Sequence, residues 1–152
     1  RDEMTEYLLA KALRSHVART VAAMRLETAG GSERAIAVYE GCLPAKRQDN
    51  SEEYPFVIVR PVSGRIEREG TSCSVDIFCG CFGREENGWQ FAVNMMRRIS
   101  NGLRELPWGT LASRFVLEDG MEWEMAKEQA YPAWVAVLHT TWTFRTPEEK
   151  DD

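Results

Sequence analysis

No stretch of this sequence approaches the roughly 20 consecutive apolar residues that a membrane-spanning helix requires, and none of its first residues form the basic-then-apolar layout of a secretory leader. The expectation is a chain with no membrane partner, working in a reducing compartment. Positive charge is not in excess either: 19 Lys and Arg against 24 Asp and Glu leave a net charge of −5. A general nucleic-acid binder concentrates basic residues to neutralise phosphates. The local clusters here, Arg60 with Arg65 and Arg68 and Arg97 with Arg98, are surrounded by acids. Histidine is scarce, with only His16 and His139. The glycines of Gly80-Cys81-Phe82-Gly83 lack the lysine and spacing of a phosphate loop, so no cofactor is expected.

What is present fits one globular domain spanning residues 1–152, long enough to bury a sizeable core, with an acidic, frayed end over residues 146–152. Helical spacing of Leu9, Leu13, Val17, Val21 and Met24 predicts a helix from about Asp2 to Leu26, closed by Gly30-Gly31-Ser32. Asp2 and Glu3 suit its N-terminal dipole. Ala35–Tyr39 reads as a short strand, and Pro44–Glu53 as a polar surface loop. Tyr54-Pro55 opens a strand to Val62 whose unbroken apolar run predicts burial on both faces. Tyr131-Pro132 opens another, running to Arg145. Proline cannot donate to a β ladder, so at a strand's start it marks where pairing begins.

Residues 64–70, with Arg65, Glu67, Arg68 and Glu69, read as a charged hairpin loop or an exposed strand end. In Thr71–Phe82, Val75, Ile77, Cys79 and Cys81 share one face and Asp76, Phe78 and Phe82 the other, with Gly80 as a candidate bulge. A second helix from about Gly88 to Leu106, capped by Asn87, presents Trp89, Val93, Met96, Ile99 and Leu103 as its apolar stripe. Strands at Phe115–Leu117 and Met121–Met125 flank the turn Glu118-Asp119-Gly120. Strand runs segregated from two helices give an α+β class, with a mixed, mainly antiparallel sheet flanked by two principal helices.

Three chemistries compete with a purely structural reading. Cys73, Cys79, Cys81 and His139 are a candidate zinc set, but Cys-x-Cys on a strand more often supplies small core residues, and free thiols are the simpler expectation. A thiol hydrolase needs a positioned base. His16, among arginines, reads as solvated, and His139 as a sheet-face residue. The acid pairs Glu52-Glu53, Glu85-Glu86 and Glu122 with Glu124 read as solvated, with Glu122 and Glu124 on the opposite strand face from Trp123. No catalytic or metal residue is therefore assigned.

The series Pro55-Phe56-Val57-Ile58-Val59-Arg60-Pro61-Val62-Ser63-Gly64, then Ser74-Val75-Asp76-Ile77, Met96-Arg97-Arg98-Ile99, Phe115-Val116-Leu117-Glu118 and Gln129-Ala130-Tyr131-Pro132-Ala133-Trp134 leading to Trp142 resembles small tail-terminator and tail-completion proteins of long-tailed bacteriophages and prophages. The resemblance covers Tyr54 to Phe144. It implies a structural subunit that forms a ring, usually a hexamer, capping the tail tube and joining it to the head connector. Its partners would be copies of itself, the tail tube protein and the connector proteins, with DNA passing through unbound. Its place would be the virion tail or neck, and the host cytoplasm during assembly. The family carries no catalytic residues. The cysteine cluster and the Pro44–Glu53 loop are not recognised family features. The alternatives are another head-tail joining or minor tail protein, or a small cytosolic metal-binding or thiol enzyme. For subunit contact the candidates are Arg60, Arg65, Trp108, Trp123 and Trp142, because tryptophan and arginine are enriched at interfaces. Trp89 and Trp134 are assigned to the core.

Overall fold

The computed structural model describes residues 5–44, 53–129 and 131–145. Most of the Pro44–Glu53 loop, the residues from 146 onward, and Asp2 and Glu3 lie outside them. Helix α1 (Thr5–Thr20) buries Leu9, Leu13 and Val17, as the apolar spacing requires. It stops earlier than the sequence predicts. Arg25–Glu27 (β1) instead pairs antiparallel with Glu33–Ala35 (β2) in a small separate hairpin. Thr28, buried at its turn, closes it by donating its backbone N–H to the Ser32 carbonyl at 2.7 Å, with Gly31 at φ +91°. The strand expected at Ala35–Tyr39 is thus two strands, split at Ile36: β2, and Ala37–Glu40 (β3).

The main sheet has seven strands: β3, β4 (Phe56–Ile66), β5 (Thr71–Phe82), β6 (Thr110–Leu111), β7 (Phe115–Leu117), β8 (Glu122–Met125) and β9 (Ala133–Phe144). Their order is β3-β4-β5-β9-β7-β6. Only β3 and β4 are parallel. β5 and β9 pair over their whole length, Thr71 with Phe144 through Phe82 with Ala133. Strands β7 and β8 therefore share the opposite edge of β9, end to end, separated by the turn at Gly120 (φ +86°). Both Tyr-Pro bonds are cis and lie just before β4 and β9.

Helix α2 (Trp89–Arg104) lies over β5 and β9, and α1 over β3 and β4, all on one sheet face. That face carries Val57, Val59, Val75, Ile77, Leu138 and Trp142, none more than 1% exposed. Two-sided burial of β4 holds only for Phe56–Val59. Val62–Ile66 is exposed, and β3 pairs with β4 no further than Val59. The register break lies in β4, between Pro61 and Ser63, and β5 runs through Gly80 without a bulge. Gly80 is instead the seat of the Phe56 ring, which a Cβ there would overlap. Asn87 makes no cap: the helix begins after Gly88, with no side-chain hydrogen bond. Gly88 is packed so closely against the Trp134 indole nitrogen and the Gly83 carbonyl that a Cβ would approach them to 2.6 and 2.8 Å. Trp89 faces outward and is 43% exposed rather than core. Its place in the stripe is taken by Ala92 and Met95.

Candidate functional site

The cysteine strand resolves first. Cys73, Cys79 and Cys81 alternate onto the helix-covered face of β5 and are buried. His139 belongs to the other face, since it pairs with Asp76 rather than with a cysteine. The sheet itself separates the thiols from the imidazole, so the four residues cannot share a metal ion. Burial also pushes the Cys73 thiol up to about 11 and the Cys81 thiol up to about 12, and raises Cys79 further. Thiolate, the nucleophilic and ligating form, is thereby suppressed.

On the open sheet face, His139 lies between two carboxylates. Its Nδ1 is 2.7 Å from Asp76 Oδ1 on β5 and its Nε2 is 2.7 Å from Glu124 Oε2 on β8. An ionised carboxylate only accepts, so the arrangement favours the protonated ring, which donates from both nitrogens. The hydrogen bond to Asp76 is the largest influence and raises its pKa; burial opposes it, and the hydrogen bond to Glu124 and the two carboxylate charges add to the rise. In that protonated form His139 has no free ring lone pair. The arrangement is an electrostatic tie across three strands. His16 is also not solvated: it is half-buried, its Nε2–H donating to the Gly102 carbonyl on α2 at 3.3 Å, and burial lowers its pKa.

The five candidate contact residues separate sharply. Trp142 is fully buried, and its indole N–H donates to Thr140 Oγ1 at 2.8 Å, which donates to the Val75 carbonyl at 2.7 Å. It is a core residue and cannot meet a partner. Arg60 is used within the fold, Nε donating to the Gly41 carbonyl at 2.7 Å with its guanidinium over the Phe78 ring. Arg65 is exposed and touches Glu67 at 3.3 Å, a pair too solvated to hold the chain. Trp123 is 51% exposed and Trp108 97% exposed.

Trp123 lines an open groove of about 490 Å³ between α2 and the β7–β8 edge, and Gly109, which follows Trp108, lies at one end of it. Its floor includes Met96, Leu103 and Leu138, and Trp123 stands on its rim. Arg97 and Arg104 form the helix wall, Glu118 and Asp119 the opposite wall, and Gly109 one end. The same edge carries unusual backbone. Trp108, Ala112 and Ser113 all have φ between 54° and 57°, a left-handed conformation that side chains with a Cβ adopt at a cost. Among the described residues β8 pairs only with β9, leaving its other edge free. The apolar stripe of α2 pointed to Met96 and Leu103, but nothing local in sequence brought the arginines of α2 opposite Glu118 and Asp119.

A second exposed feature is the β4–β5 arm. From Val62 to Glu69 every residue is exposed, including Val62 at 48% and Ile66 at 74%, while the arm stays paired down to Ile66 with Thr71. No helix of the described residues is long and apolar enough to cross a membrane. Compared with protein-family models and with curated proteins, the chain gives no match.

Proposed function

We infer that this chain is a structural subunit that self-associates, and that its role is that of a bacteriophage or prophage tail terminator: a ring, of six copies in the simplest case, that caps the tail tube and receives the head connector. The observation that carries the self-associating part is the free β8 edge, with Trp123 beside an apolar-floored groove and Trp108 almost wholly in solvent. Exposed tryptophans on a rigid scaffold are what a binding surface spends and a solitary domain avoids. The tail assignment rests on the ordered series of motifs from Tyr54 to Trp142. Burial holds the β5 thiols in the unreactive thiol form, which speaks against the thiol-enzyme alternative. An acidic ring repels phosphate, which suits a channel that DNA crosses without being held.

The test is mass in solution by light scattering from micromolar to several hundred micromolar, with negative-stain imaging. Rings with a central opening support the reading, and a monomer throughout, with or without purified tail tubes, overturns it. Trp123→Ala is expected to lower the assembled fraction with a melting temperature within about 2 °C of the parent, since truncating a half-exposed side chain costs the fold little.

A further inference from the structure

The arm and the groove are complementary, and they lie on different parts of the same molecule. Ile66 is exposed at 74% at the tip end of β4, where the β4–β5 hairpin reaches the margin of the sheet, and none of the described residues covers it. The arm carries both signs of charge, Arg65 and Arg68 beside Glu67 and Glu69. The groove offers an apolar floor between a basic wall, Arg97 and Arg104, and an acidic wall, Glu118 and Asp119. A segment with one apolar residue flanked by both charges is what such a trough selects, since like charges facing either wall are repelled. The Arg65–Glu67 pair within the arm is largely exposed and is readily exchanged for contacts with the walls.

Resting on the self-associating reading above, we propose that the β4–β5 arm of one copy seats in the α2–β8 groove of the next, with Ile66 on the floor between the two charged walls. Because donor and acceptor surfaces differ, the contact is head-to-tail, and it closes into a ring when its rotation divides a full turn. Each subunit gives one arm and takes one.

The geometry dictates a mixing experiment. Ile66→Asp spoils the arm but leaves the groove, and the double change Arg97→Glu with Arg104→Glu spoils the groove but leaves the arm. Each alone should associate at least about tenfold more weakly than the parent, as for an interface centre. Both change exposed residues, so circular dichroism and melting temperature should match the parent. An equimolar mixture should form a one-to-one heterodimer and nothing larger. As an internal check, adding Glu67→Arg and Glu69→Arg to the groove variant should restore assembly. Parent-like mass for Ile66→Asp, or a mixture that stays monomeric together with a failed charge swap, overturns the arm-into-groove contact while leaving self-association standing. A parent chain that is itself monomeric, or that associates only with a foreign partner, overturns both.

Discussion

At the scale of single residues, the polar atoms that carry most weight are Thr140 Oγ1 and the two nitrogens of His139. Thr140 is 2% exposed and accepts the Trp142 indole N–H, while its own hydroxyl donates to the Val75 carbonyl. Thr140→Val keeps the shape and adds apolar surface. It should nonetheless destabilise the chain by about 1–3 kcal/mol, the cost of leaving a buried donor unsatisfied, as read by urea unfolding. His139 gives a pH signature. Its folded pKa is raised, first by the Asp76 hydrogen bond, so the folded state holds the proton more tightly than the unfolded chain. That stabilisation is complete below about pH 6.5, the unfolded value, and is lost as pH rises through the folded value. Arg60 pairs with Asp76 across β4 and β5, and Glu122 pairs with His139 across β8 and β9, so both also feel the change. Thermal melts at pH 6 and pH 9 should show the parent's advantage over His139→Gln shrinking at the higher pH. An advantage that does not change with pH would mean the tie is not ionic.

At the scale of elements, glycines locate where two elements meet most closely. Gly80 on β5 leaves room for the Phe56 ring on β4. Gly80→Ala forces that ring, itself 5% exposed, out of its place, and overpacking of this kind costs about 1–3 kcal/mol. The midpoint of denaturant unfolding should fall, and Phe56→Leu should recover part of the loss by removing the overlapping ring. The elements themselves were largely readable. Alternation placed the faces of β5 correctly because the strand is long and covered by helices on one side, so period-2 patterning is strong. It failed where context overrode pattern. Leu26 and Met24 continue the helical spacing of α1, yet Arg25-Leu26-Glu27 pairs with Glu33–Ala35 because Thr28 and Gly31 make a tight turn available. Gly80 reads equally as a bulge or a ring seat until the partner of Phe56 is known. The His139 tie was implicit in the pairing of two strands whose register only the folded chain fixes. Trp142 and Trp123 are both tryptophans on strands, and only the placement of α2 over β9 buries one and leaves the other at the rim.

For the whole molecule, stability and association pull in different directions, and Trp108 is where they part. Its side chain is 97% exposed and its backbone sits at φ 57°, ψ 21°. The indole therefore gives the isolated fold almost no burial, while the left-handed backbone costs on the order of 1 kcal/mol relative to glycine. Gly109, next in sequence, is also left-handed at φ +64° and lines the groove. A strained residue that returns nothing to its own domain is expected where a surface is held ready for a partner. Trp108→Gly should accordingly leave the monomer's melting temperature unchanged or raise it by a few degrees, while weakening self-association severalfold in the same buffer. Trp108→Phe, which keeps an exposed ring, should retain more of the association and gain no stability. A Trp108→Gly chain that melts several degrees lower and assembles normally would show that the indole serves the fold, and that the groove's partner does not reach this end of the molecule.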